Sequence, residues 1–275
     1  MIIAGKNIPD KIFFDLLRGI KKKKELSQID DSLVSSEMEN IISEDKKLLD
    51  FLSSGQDFKK TGKSSSYKEI VKKTRAVLRK SVGVFIRVGN EKNFSELLMK
   101  HESTRERSET YPELYAEIFH ITGNPKSILD LGCGLNPLSY KFLKISPEYF
   151  AIDISSAITG IVNDFFSKNR INGRAEILNL REIKNKRLNF PKADICFMFK
   201  LLDSIELEKG HRLAEKLVKE VPCSWIAASF PKKTLSGKPM NHPYRGWIEQ
   251  MCRRLGYFYD ILDFKNEVFY LIKKA

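Results

Sequence analysis

The chain has no apolar run approaching the roughly 18 residues of a membrane-crossing helix. Its opening, MIIAGKNIPDKIFF, carries an early Asp10 and lacks the basic-then-apolar order of a secretory leader, so no signal peptide is expected. Cysteine is sparse: Cys133, Cys196, Cys223 and Cys252 are far apart and share no C-x-x-C spacing. That argues against a zinc site and against a disulfide framework, and it suits a reducing cytoplasm. No metal is expected, and internal repeats and low-complexity tracts are absent. Acidic residues are also in deficit, 35 against 48 Lys and Arg, which gives a formal net charge of +13 and a pI near 9.4. A surplus of that size points to a polyanionic partner, nucleic acid first of all.

What the chain does contain changes texture near residue 100. Residues 1–100 are basic with helical periodicity: Phe13, Leu16, Leu17 and Ile20 recur at helix spacing, as do Met38, Ile41, Ile42, Leu48, Leu49 and Leu52. A further helix carries Tyr67, Ile70, Val71, Thr74, Val77 and Leu78 on one side. Lys68, Lys72, Arg75 and Arg79 form a stripe on the other. From Lys59 to Lys80 nine basic residues face Glu69 alone, and a merely solvated face would mix both signs. The stripe is therefore expected to track phosphates, and residues 1–100 to form a helical RNA-docking domain.

Residues 101–275 alternate helix and strand. Thr110 and Glu113 bracket Pro112 in the pattern of a capping box, opening a helix with Tyr111, Leu114, Tyr115, Ile118 and Phe119 inward. Strands are expected at 127–131, 149–152, 175–179, 193–199, 225–229, 257–264 and 267–272. This is the alternation of a doubly wound α/β sheet. Only Lys265 and Asn266 separate the last two strands, too few for a parallel crossover, so they must pair as an antiparallel hairpin.

The stretch SILDLGCGLNPLSY (127–140) leaves the first of these strands. Gly132 and Gly134 let backbone approach a ligand, since neither has a Cβ. The third glycine of a dinucleotide fingerprint is missing. Asn136-Pro137 stands there instead, which disfavours a pyrophosphate. Asp130 is awkward beside phosphates but useful to an ammonium group. Asp153, nineteen positions after Gly134, ends the second strand, where a carboxylate can accept hydrogen bonds from both ribose hydroxyls. S-adenosylmethionine, with its ammonium, carboxylate and ribose and no phosphate, matches this set.

The segment after the fourth strand narrows the reaction. ADICFMFKLLDS (193–204) has no prolines, so it lacks the Asn/Asp-Pro-Pro-aromatic turn that holds an exocyclic amine. Lys200 alone does not make the tetrad used for ribose 2′-O transfer. An acceptor needing little base catalysis remains. N7 of guanine has its own lone pair, and positioning could supply most of the rate, so no dedicated catalytic base is expected.

Three blocks then carry a family resemblance: HESTRERSETYPELYAEIF (101–119), SILDLGCGLNPL (127–138) and FKLLDSIE (199–206). SFPKKTLSGKPMNHPY (229–244) and EVFYLIKK (267–274) extend it. With these the chain resembles the Arm/Rmt family, the aminoglycoside-resistance 16S ribosomal RNA guanine-N7 methyltransferases, over roughly residues 101–275. The resemblance implies a Rossmann-like class I methyltransferase sheet and S-adenosylmethionine as cofactor. It implies that Arg107 clamps the cofactor carboxylate and that His101, Glu102 and Ser103 line the same pocket. Gly132 would lie under the methionine part, Asp153 on the ribose, and Asn179 and Leu180 next to the adenine, with Ile154 and Phe199 as further cofactor-binding residues. The family's SFP segment continues with a double glycine where this chain has Leu235-Ser236-Gly237.

Lys232, Lys233 and Lys238 follow the fifth strand, at the edge where such sheets bind substrates, and could grip RNA phosphates around a flipped base. Phe230, Tyr244 and Trp247 are either base-stacking groups or core. The expected acceptor is 16S rRNA in the 30S subunit, near the decoding site, and the expected state a monomer. The alternatives are another target atom such as adenine N1, a small-molecule methyltransferase, and a non-catalytic rRNA-binding assembly factor.

Overall fold

The computed structural model describes residues 1–23, 26–27, 29, 31–54, 65–82, 94–100, 102–181, 189–206, 210–234 and 237–275. His101 and the Leu235-Ser236 pair of the target-facing loop lie outside them. The chain divides into two compact units, Met1–Arg87 and Val88–Ala275. The helix Phe94–Lys100, on the N-terminal side of the boundary drawn at residue 100, belongs to the second unit. Among the described residues no helix is long and apolar enough to cross a membrane.

The first unit begins with a two-stranded hairpin, β1 (Ile2–Ile3) against β2 (Lys6–Asn7). Among the described residues its helices are Asp10–Lys21, Asp31–Glu44, Lys46–Ser53 and Ser65–Val82. Helical spacing decides the core: Ile12, Phe13, Leu16, Leu17 and Ile20 are buried, and Leu48, Leu49 and Leu52 follow a start capped by Asp45, which accepts the Lys47 and Leu48 N–H groups. Gly19 permits a close helix crossing. A Cβ there would stand 2.0 Å from the Tyr67 hydroxyl of the helix Ser65–Val82.

The second unit is built on β3 (Ser127–Leu131), β4 (Glu148–Asp153), β5 (Gly173–Ile177), β6 (Ala193–Phe199), β7 (Cys223–Pro231), β8 (Phe258–Asp263) and β9 (Glu267–Lys273). The order across the sheet is β5-β4-β3-β6-β7-β9-β8. Pairing is parallel from β5 to β7, while β9 is antiparallel to both β7 and β8. This is the doubly wound sheet with a terminal antiparallel hairpin of a class I methyltransferase. The direction of winding reverses at β3, so the ends of β3, β4 and β6 border the crevice where such sheets bind ligands.

Two expectations fail locally. The third strand runs Gly173–Ile177, two residues before the expected 175–179; on this edge strand only Ala175 is buried, so no alternation marks its limits. The capping box does not form. Thr110 has an αR backbone and no capping bond, and its hydroxyl donates to the Arg107 carbonyl at 3.2 Å. The helix Tyr111–Thr122 is instead held by its buried rings: Tyr115 stacks with Tyr111 at 5.5 Å and with Phe197 of β6 at 6.0 Å.

Candidate active site

β3 ends at Leu131 and the chain turns through Gly132 (φ 63°) and Gly134 (φ 49°), both left-handed. A side chain at 132 would also collide with Leu201, whose Cδ1 would lie 2.6 Å from the added Cβ. The backbone then enters a 3-10 helix, Asn136–Leu143, with Pro137 in its first turn. Asp153, at the end of β4, accepts the Gly134 N–H at 2.9 Å through one oxygen and the Ser155 N–H at 3.0 Å through the other. Its carboxylate thus fixes the glycine turn and keeps lone pairs for further donors. Burial raises its pKa, against backbone hydrogen bonds from Gly134, Ser155 and Ile154.

A buried polar chain crosses the site beside this turn. Asp130 Oδ2 accepts the Tyr149 hydroxyl at 2.7 Å and Asn136 Nδ2 at 2.9 Å. Asn136 Oδ1 in turn accepts the Tyr111 hydroxyl and an Arg107 Nη1–H, both at 3.0 Å. Arg107 Nε donates to Glu267 Oε1 at 3.0 Å, and Lys200 Nζ reaches the same oxygen at 3.0 Å and pairs with Glu106. The Arg107 guanidinium lies over the Phe199 ring, 5.0 Å from its centroid. Asn136 therefore joins an acidic end to a basic end, using its carbonyl toward one and its amide toward the other.

The electrostatics follow from burial. Asp130 is 1% exposed, and burial pushes its carboxyl up to about 6 although Asn136 and Tyr149 donate to it. Burial would raise Glu267 too, but Arg107 and Lys200 beside it hold its carboxyl below the usual range. Burial alone would lower the Arg107 pKa; the Glu267 carboxylate beside it more than offsets that. Within this buried polar network two oxygens, Asp130 Oδ1 and Glu267 Oε2, have no hydrogen-bond partner. An unpartnered buried acceptor is costly and marks a place for a donor. A ligand with an ammonium, a carboxylate and a ribose fits these groups: Asp130 Oδ1 for the first, Arg107 for the second, Asp153 for the third.

The remaining expected residues fall as follows. Glu102 opens the short helix Glu102–Arg107, and its side chain is outside the described set; Ser103 and Ile154 are half-buried. Asn179 turns its Oδ1 onto the Arg181 N–H at 3.1 Å, and Leu180 and Phe199 are buried. Lys68, Lys72 and Arg79 are exposed on the helix Ser65–Val82. Arg75 is not part of that exposed row: its Nε and Nη2 donate to the carbonyls of Ile20 and Gly19 at 3.1 and 2.5 Å. Lys232 is tied to Asp263 and to the Phe264 carbonyl, and Lys233 to Asn266 at 3.0 Å, while Lys238 is exposed. Phe230 is core, Trp247 stacks on His211 at 4.2 Å, and Tyr244 donates to Asp263 at 2.7 Å. Glu267, Tyr149 and the bridging role of Asn136 were missed from sequence; the one visible signal was an acid opening the otherwise apolar run EVFYLI.

A family model described as ribosomal RNA methyltransferase (FmrO) matches residues 67–272. The chain is 31% identical over 178 residues to a 16S rRNA (guanine(1405)-N(7))-methyltransferase of Micromonospora echinospora, covering 63% of this chain and 63% of that protein. It is 28% identical over 227 residues to the protein of the same name from Serratia marcescens, covering 78% and 86%. The first curated relatives are thus matched over about 63% of their length. In fold the chain is similar to the 16S rRNA methyltransferase RmtF, crystallised with S-adenosyl-L-homocysteine, with a TM-score of 0.75 at 21% identity over 97% of this chain and 100% of that one. The methylase ArmA follows at a TM-score of 0.52 and 26% identity, covering 73% and 97%. Together with the sheet and the glycine turn, the match over residues 67–272 means that the chain belongs to the FmrO family of ribosomal RNA methyltransferases.

Proposed function

We propose that the protein transfers a methyl group from S-adenosylmethionine to N7 of a guanine in 16S rRNA. The observation that carries this reading is the buried pair of complementary ends: an unpartnered Asp130 oxygen and the Arg107 guanidinium, held apart by one Asn136 amide. S-adenosylmethionine, when bound, supplies an electrophilic methyl group on a sulfonium. Asp130 would take its ammonium, Arg107 its carboxylate and Asp153 its ribose hydroxyls, with His101, Glu102, Ser103, Ile154, Asn179, Leu180 and Phe199 around them. The glycines at 132 and 134 leave the turn open to it.

The guanine N7 attacks with its own lone pair and no proton leaves it, so the chain needs no general base. Positioning a near-attack pair supplies much of such a rate. Lys68, Lys72, Arg79 and Lys238 would hold RNA phosphates. The acceptor is read as the assembled 30S subunit near its decoding site, the protein as a cytoplasmic monomer, and the consequence as aminoglycoside resistance. Transfer of a labelled methyl group to purified 30S subunits, followed by mapping of the modified base, tests this. Label on one guanine N7 is expected. Label on adenine N1 would correct the target atom, and no label with RNA binding retained would refute the enzymatic reading.

A further inference from the structure

The side-chain amide of Asn136 is fully used within the protein. Its two N–H groups go to Asp130 Oδ2 at 2.9 Å and to the Tyr149 hydroxyl at 3.4 Å. Its oxygen accepts from Arg107 Nη1 and from the Tyr111 hydroxyl, both at 3.0 Å. A primary amide has two donors and two acceptor lone pairs, so nothing remains for a ligand, and the residue is 2% exposed. Only one orientation of the amide works. Turned over, it would aim N–H groups at a guanidinium and its oxygen at a carboxylate. The backbone is held as well: the Asn136 N–H donates to the Cys133 carbonyl at 2.9 Å, and its carbonyl accepts the Ser139 hydroxyl at 2.6 Å.

The atoms left over lie on either side of this amide. Asp130 Oδ2 is taken by Tyr149 and Asn136, which leaves Oδ1 as the atom without a partner. Arg107 makes its bonds to Glu267, Tyr111 and Asn136 through Nε and Nη1, so among the described residues Nη2 remains for an anion. One amide thus decides which atom of each charged group stays available, an acceptor at one end and a donor at the other. The α-amino acid tail of a ligand, with an ammonium and a carboxylate on one carbon, has the complementary pair.

We propose that Asn136 is a positioning residue that makes the pocket selective for the amino-acid tail of its ligand: without touching that tail, its amide turns Asp130 Oδ1 toward the ammonium and Arg107 Nη2 toward the carboxylate. The proposal rests on the assignment of Asp130 and Arg107 to the tail of S-adenosylmethionine made above. Because one rigid amide orients both groups, the two ends are recognised together, and the ordering cost is met before the ligand arrives. The charges around the amide make this testable by pH. Burial pushes Tyr111 up to about 12 and Tyr149 and Tyr115 well above their ordinary range, and it raises the Cys133 thiol in the turn. Glu267, with Arg107 and Lys200 against it, is held low, and Asp153 faces the Gly134 and Ser155 N–H groups. Of the groups hydrogen-bonded to the amide, Asp130 is the one that titrates near pH 6.

The test is calorimetry on the full-length protein without RNA, using two probes: S-adenosylhomocysteine, and 5′-methylthioadenosine, which lacks the amino-acid tail. Asn136→Asp keeps an acceptor for Arg107 and Tyr111 but sets a second carboxylate against Asp130. Relative to the parent at about pH 8, it should bind S-adenosylhomocysteine about tenfold more weakly or worse, with 5′-methylthioadenosine within about twofold. At about pH 5.5 one proton shared by the two carboxyls restores the missing donor, and the gap to the parent should narrow to about threefold. Asn136→Ser, which removes the bridge without adding charge, should lose S-adenosylhomocysteine to a similar degree at both pH values. It carries the contrast if Asn136→Asp melts far below the parent. Equal losses for the two probes would reduce Asn136 to a structural part and overturn the proposal, as would parental affinity for S-adenosylhomocysteine in both variants. A parent that binds both probes equally well would instead overturn the assignment of Asp130 and Arg107 beneath it.

Discussion

Arg107 and Glu267 lie 160 positions apart in the chain and meet at 3.0 Å, their side chains 6% and 2% exposed. A charge so deeply buried is tolerated only when paired and hydrogen-bonded. The pair joins the short helix Glu102–Arg107 to the first residue of β9, and Lys200, from the end of β6, shares the same carboxylate oxygen.

Glu267→Ala is therefore expected to lower unfolding free energy by about 3–5 kcal/mol, because it leaves buried cations without a counter-charge. Urea unfolding measures this. The pH dependence has a definite sign. The folded carboxyl sits below its ordinary range, so its stabilisation is complete at neutral pH and is lost as pH falls through that lowered value. The variant should lose that acid-side dependence.

Asp130 has the opposite sign. Its folded pKa of about 6 exceeds the ordinary aspartate value of 3.8, so the ligand-free protein is most stable with this carboxyl protonated and loses stability as pH rises through about 6. Asp130→Asn should be more stable than the parent at pH 8 by about 2–3 kcal/mol, at 1.36 kcal/mol per pKa unit. The gap should close below about pH 4, where folded and unfolded chains both carry the proton. Calorimetry should show that the same variant binds S-adenosylmethionine at least tenfold more weakly. Equal stability at both pH values would contradict the assignment.

Two glycines with positive φ differ in what an added Cβ would meet. Gly123 has φ 78° with nothing within 4 Å of an added Cβ, whereas Gly132 has φ 63° and Leu201 at 2.6 Å. Gly123→Ala should cost about 1–3 kcal/mol from its backbone alone, since φ 78° with ψ 167° is a conformation open essentially to glycine. Gly132→Ala should cost about 1–3 kcal/mol more through overpacking, and should also abolish cofactor binding. Denaturant melts of the two variants separate the contributions.

Asp153→Ala removes the acceptor for the Gly134 and Ser155 N–H groups as well as the proposed ribose ligand. Cofactor binding should fall below detection by calorimetry while filter-binding affinity for 30S subunits stays within about twofold, since no phosphate contact is lost. A parallel loss of RNA affinity would mean that the two functions are not separable in this way.

Arg75 and Lys72 share one helix and differ in role. Arg75→Ala should destabilise the protein by about 1.5–3 kcal/mol, the range for hydrogen bonds made by a charged group. Lys72→Ala should leave the melt unchanged and reduce the salt slope of RNA binding by roughly one. Equal behaviour of the two variants would show that the carbonyl contacts of Arg75 carry no stability.

The sheet was largely legible because its central strands are almost wholly buried and bounded by turns. β3 and β6 have the expected limits, and the two-residue link 265–266 forced the antiparallel hairpin. The glycine turn and Asp153 were legible for the same reason: their spacing is local. Glu267 was not, since nothing in a linear chain says which distant cation a buried acid will meet. Asn136 was read as an obstacle to pyrophosphate, and its bridging amide emerges only when Arg107 and Asp130 converge on it. Arg75 misled because helical periodicity fixes an angle around an axis, not the neighbour that waits at that angle.

β9 is the last of the sheet's strands in chain order, yet it sits between β7 and β8, inside the sheet. While the chain is being made, β7 therefore keeps an open edge until residues 267–273 have been synthesised and have left the ribosome, and β8 has no partner until then. Arg107 meanwhile waits for the acid that neutralises it. The sheet and the charge lattice of the site thus close in a single late event, and a nascent chain stalled before that point exposes a sticky strand edge and a half-built centre together.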